Sequence, residues 1–123
     1  MPQGLTKGLS AAGQSGLHFI SVAEKLGIAE QVNAKGKTIP GGAAAELVAK
    51  GEADLAVQLI PELASVSGVD VVGPFPAELQ NYIVLTAGIG TNAKDKMAAQ
   101  ALIKYLTSPT AISVIKAKGM EPG

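Results

Sequence analysis

Two glycine-rich segments, Gly13-Gln14-Ser15-Gly16 and Pro40-Gly41-Gly42, each lead into an amphipathic stretch that stops at Leu26-Gly27 or Lys50-Gly51. Helix N-termini carry unpaired N–H groups and the positive end of the helix dipole. Two of them aimed at one cleft would therefore bind an anion without any charged side chain. Ser15 can add a hydroxyl to such a site, or serve as the helix N-cap. Gly41 and Gly42 either let an anion approach the backbone or make a tight turn. Gln58, at the end of an apolar run, would aim a carboxamide into the cleft or satisfy backbone groups at a strand end. His18 lies one step off the apolar stripe and reads as a partly exposed structural histidine. Asn81 and Tyr82 read as packing residues.

Patterns for catalysis fail at particular positions. Gly13-Gln14-Ser15-Gly16-Leu17 has Leu17 where a nucleophile elbow needs its last glycine, and a single histidine with no acid partner makes no triad. Gly36-Lys37-Thr38 looks like the end of a phosphate loop. Gln31 occupies the position of its first glycine, however, and Pro40 blocks the helix that should follow. Glu52 and Asp54 read as a solvated strand end rather than a cation site. Cysteine is absent and His18 stands alone, so neither a zinc site nor a disulfide is expected. We expect no enzyme, metal or cofactor.

Charge and length narrow the class further. The ten basic residues are all lysines, scattered along 123 residues and balanced by ten acids. Without arginine or a basic stripe, nucleic-acid binding is disfavoured. A chain of this length forms one core, filled mainly by Leu, Ile and Val because only Phe19, Phe75, Tyr82 and Tyr105 are aromatic. No apolar run of signal-peptide or membrane-span length occurs.

The elements that must hold the candidate residues follow from periodicity. Residues 1–16 read as an extended lead-in with turns. Leu17, Ile20, Ala23 and Leu26 define a helix with Ser15 as N-cap and Gly27 as stop. A short helix covers Ala29 to Val32. Thr38-Ile39 ends a strand, Ala43 to Ala49 is helical, and Ala53 to Ile60 is a buried strand, which together make an α/β unit with a parallel sheet. Val69 to Val72 is a short strand, and Gly73-Pro74-Phe75-Pro76 opens an extended crossing. Tyr82 to Ala87 is the strongest strand by composition. Lys94 to Leu106 is a helix, and a last helix runs from the Ser108 N-cap and Pro109 to about Lys118.

These blocks resemble the molybdate-type periplasmic solute-binding proteins of ATP-binding-cassette transporters, in the type 2 periplasmic binding-protein superfamily. The resemblance runs from about Gly13 to Gly119. It is carried by Ser15-Gly16 with Lys25-Leu26-Gly27-Ile28, by Pro40-Gly41-Gly42 with Glu46 to Gln58, by Val72-Gly73-Pro74-Phe75-Pro76-Ala77-Glu78-Leu79-Gln80, and by Ala101 to Pro109. It implies a cleft in which backbone N–H groups and small hydroxyls hold an oxyanion, with Ser15, Gly16, Gly41, Gly42, Gln58 and Leu59 as this lobe's contribution. Leu59 stands where molybdate binders carry a tyrosine hydroxyl, which counts against molybdate itself. The family also has an N-terminal lobe with its own anion-binding serines, so this chain is expected to be the C-terminal half.

The expected fold is α/β, a type 2 binding-protein lobe with a mixed, mostly parallel sheet flanked by helices and a C-terminal hinge strand and helices. Residues 1–72 would form the ligand-binding lobe, and 73–123 the hinge crossing, strand and helices that return to the first lobe, with the pivot in 73–82. The expected function is non-catalytic capture of a small oxyanion for a membrane permease, in the periplasm by resemblance, or in the cytoplasm if Met1 is the true start. Apolar surface left bare suggests a homo-oligomer or domain swap. The alternatives are an effector-sensing domain of a transcription regulator and a self-associating protein without ligand.

Overall fold

A computed structural model of the chain describes residues 7–10, 13–39 and 42–123. Its elements are β1 (Lys7–Ser10), α1 (Gln14–Lys25), α2 (Ala29–Ala34), β2 (Gly36–Ile39), α3 (Ala45–Ala49), β3 (Leu55–Ala56), α4 (Ile60–Ala64), α5 (Lys96–Leu106) and α6 (Pro109–Ala117). Residues up to Asn81 group into one compact unit and Tyr82–Gly123 into a second.

The first unit is an α/β layer built on a three-stranded parallel sheet in the order β2-β1-β3. Its central strand is a correction to the sequence reading, because Lys7-Gly8-Leu9-Ser10 lies in what composition presents as a lead-in. Gly8 pairs with Lys37 on one side and Ala56 on the other. Among the described residues the core is made of close approaches: Val22 and Ala23 of α1, Val32 of α2, then Ala44, Ala45 and Ala53. Alanine at these positions brings backbone near backbone, which suits a chain with few aromatic residues.

The helix stops behave as the sequence predicts. Gly27 has φ 70° and closes α1 with Ile28 N–H donating to the Ala23 carbonyl (2.9 Å) and Gly27 N–H to that of Glu24 (3.0 Å). Gly51 and Gly119 close α3 and α6 with the same pair of bonds. Ser108 accepts from Ala111 N–H at 3.3 Å, as expected of the α6 cap. The helix before it starts at Lys96 rather than Lys94, because Asp95 is its N-cap and accepts from Ala98 N–H at 2.8 Å.

Other elements differ. Gly13, not Ser15, is the N-cap of α1, which places Ser15 inside the first turn. The strand expected over Ala53 to Ile60 shrinks to Leu55–Ala56, since Ile60 opens α4. Val69 to Val72 and Tyr82 to Ala87 adopt no ladder, so the expected hinge strand is absent among the described residues. In the second unit α5 contacts α6, yet only Ala111 of these helices is buried. Val84 and Leu85 are 78% and 83% exposed, and Leu102 and Tyr105 are exposed too.

Candidate functional site

Parallel pairing sends β1, β2 and β3 out of the sheet on one edge, and each runs there toward a helix: α1, α3 and α4. In open parallel sheets this carboxyl edge is where ligands bind. Ser15, Gly16, Gly42, Gln58 and Leu59 all lie in the connections or first turns at that edge. Gly41, with Pro40, lies outside the described residues.

At α1 the hydrogen-bond ladder begins with Leu17 N–H donating to the Gly13 carbonyl (3.1 Å). The amides of Gln14, Ser15 and Gly16 precede that ladder and have no helical acceptor. Gly13 has no side chain with which to cap them, and the first turn carries no acidic residue. Ser15 is half-buried and Gly16 buried, and among the described residues no side chain caps this turn.

The opening of α3 is arranged differently. Ala45 N–H donates to the Gln58 side-chain oxygen at 2.9 Å. The Gln58 Nε2 donates to the Gly42 carbonyl (3.3 Å) and to Glu62 Oε2 (3.2 Å). Gln58 therefore ties the connection after β2 to the one after β3. Gly42, at φ 93°, turns the chain with a conformation that glycine alone adopts cheaply. Leu59 is the N-cap of α4, and its N–H donates to Glu62 Oε2 at 3.3 Å. That is one half of a capping box, since a leucine side chain cannot return the bond.

Glu62 is the residue of this edge that the sequence reading omitted. Its signal is Pro61 followed by an acid, a helix-start pattern directly after the strand expected to end at Ile60. Its carboxylate is engaged by Gln58 and by the Leu59 amide rather than bare. Elsewhere, Lys37 and Glu52 are 3.6 Å apart. Among the described residues no group of three or more His, Cys, Asp or Glu side chains is placed to hold a metal ion.

The residues up to Asn81 thus form a parallel α/β unit with three strand-to-helix connections at its carboxyl edge. Residues 5–121 match the family model for bacterial extracellular solute-binding proteins, and the chain belongs to that family. It is 36% identical over 113 residues to the molybdate-binding protein ModA of Azotobacter vinelandii, covering 85% of this chain and 42% of that protein. It is 35% identical over 89 residues to a Pseudomonas protein named aconitate isomerase, covering 72% of this chain and 34% of that protein. The chain thus spans less than half the length of these curated relatives. No solved structure matches it significantly.

Proposed function

We propose that this chain is the ligand-binding lobe of a periplasmic solute-binding protein. It captures a small oxyanion at the carboxyl edge of its sheet for delivery to a membrane permease. The observation that supports this most directly is the first turn of α1, whose three leading amides are capped by no side chain among the described residues, at the edge where all three strands exit. With Ala45 N–H taken by Gln58, the anion would be held chiefly by α1, with Gly41 and Gly42 giving backbone access beside it.

A small carboxylate is the second reading. Leu59 offers no hydroxyl to a tetrahedral oxyanion but would pack against a carbon skeleton, and one relative is named for aconitate. A thermal-shift screen with molybdate, sulfate, phosphate, citrate and aconitate at matched ionic strength separates the two. A ligand present at 100 times its Kd should add about 2.7 kcal/mol of stability. The Ser15→Asp variant should lose that shift while folding at least as well as the parent, because an acid in the first turn favours the helix dipole by about 0.3–1 kcal/mol but repels an anion. An undiminished shift in S15D would move the site elsewhere.

Self-association also belongs to this proposal. Tyr82, Ile83, Val84 and Leu85 form an exposed apolar run, of the kind that pairs with a second strand. Light scattering on the 123-residue chain should report a dimer or larger species, and Val84→Lys should shift it to monomer. A monomeric parent at high micromolar concentration would exclude self-association through this run.

A further inference from the structure

The loop Phe75–Gln80 is an internally braced piece. Leu79 N–H donates to the Pro76 carbonyl at 2.9 Å, and Phe75 N–H donates to Gln80 Oε1 at 2.9 Å. Gln80 Nε2 in turn donates to the Asn81 carbonyl at 3.0 Å. This piece is fastened to α1 at two points. The His18 Nε2 lies 2.8 Å from the Leu79 carbonyl, which fixes Nε2 as the proton-bearing nitrogen because a carbonyl only accepts. Phe75 stacks on Phe19 at 6.2 Å between centroids and 19° between planes, and meets the His18 ring at 6.0 Å. Beside the hydrogen bond a groove of about 160 Å³ runs between Ser21 and Lys25 of α1 and Glu78 of the loop, so close packing does not fill that side. The attachment depends on the ring stack and on a single polar contact.

We propose that His18 is a positioning residue: it locks the Phe75–Gln80 loop to α1, so that helix and loop move as one body and the chain pivots after Gln80. The sequence places a hinge anywhere in 73–82; the contacts of His18 remove residues 75–80 from it. The same helix that carries Ser15 and Gly16 carries His18 one turn later, so a displacement of its first turn reaches the loop through that contact. This goes beyond the ligand reading and holds whichever solute binds.

Hydrogen exchange of the unliganded 123-residue chain tests it. In His18→Ala the amides of Phe75 and Leu79 should exchange about tenfold faster than in the parent, with those of α2 and α6 unchanged. His18→Gln, which keeps a donor near the position of Nε2, should restore most of the protection. Parent-like exchange in H18A, or a Gln variant as fast as Ala, would overturn the proposal. Should H18A unfold as a whole, the parent's imidazole nitrogens decide by NMR. A proton on Nε2 with a slowly exchanging signal supports the lock, and a proton on Nδ1 alone refutes it. None of these readouts involves ligand, so a failed anion screen leaves the result standing.

Discussion

Replacing Lys7 with methionine should stabilise the first unit by about 3 kcal/mol at neutral pH, the scale of an unsatisfied buried charged group. Lys7 opens the central strand and is 2% exposed. Its Nζ lies 5.6 Å from the centre of the Phe19 ring and has no hydrogen-bond partner among the described residues. A ring face offers an ammonium far less than water does, so burial pushes the Lys7 pKa below its ordinary 10.5. Gly36 gives the stem room: a Cβ there would stand 3.1 Å from Lys7 Cε. Methionine keeps the length of that stem, places sulfur near an aromatic ring, and removes the charge. The pH dependence has a definite sign. Between the lowered pKa of the folded chain and 10.5 of the unfolded one, the unfolded chain holds more protons. The parent therefore gains stability as pH rises through that window, and its deficit against K7M narrows. Urea unfolding of both proteins at pH 7 and at pH 10 checks this. A constant difference, or a destabilised methionine variant, would show that the amine is solvated or paired.

What the sequence showed and hid has a common physical origin. Helices whose ends are set by local chemistry were legible. Ser108-Pro109 starts α6, and Gly27, Gly51 and Gly119 stop three helices, because caps and positive φ are properties of a few adjacent residues. Strands were legible only in part: Thr38-Ile39 does end β2, and Leu55–Ala56 lies inside the expected Ala53 to Ile60, but a strand is a property of a pair. Lys7-Gly8-Leu9-Ser10 has little β-propensity, yet it sits between two partners, while Tyr82-Ile83-Val84-Leu85 has high propensity and no ladder. The candidate site divides in the same way. The lack of a capping side chain at α1's opening follows from its own residues, whereas the engagement of Gln58 with Ala45, Gly42 and Glu62 is tertiary. Only the fold shows that one of the two expected helix openings is already occupied by the protein's own side chain.

The same reasoning makes Gly8 the position where substitution should do most harm. In an ordinary strand, Gly→Val adds β-propensity and stabilises by up to about 1 kcal/mol. Here a Cβ would stand 3.0 Å from the Ala44 carbonyl oxygen and 3.1 Å from Leu47 Cδ1. The leucine can turn aside, but the carbonyl cannot, since it accepts the Leu47 N–H at 3.1 Å and belongs to a residue with no exposed surface. Valine at this position must lift α3 off β1, opening the contact that Ala44 and Ala45 close. Overpacking of this kind costs about 1–3 kcal/mol, and the immobile carbonyl places Gly8→Val near the upper figure. Lifting α3 also draws Ala45 N–H from Gln58, so the damage reaches the carboxyl edge and the solute response should fall with stability. Gly88→Ala is the control, because nothing lies within 4 Å of its added Cβ. It should leave the unfolding free energy from urea titration within the ~0.5 kcal/mol expected of an exposed site. A G8V chain as stable as that control would mean that α3 does not rest on the central strand, and the close approach that holds α3 and the Gln58 contact at the carboxyl edge would have to be abandoned.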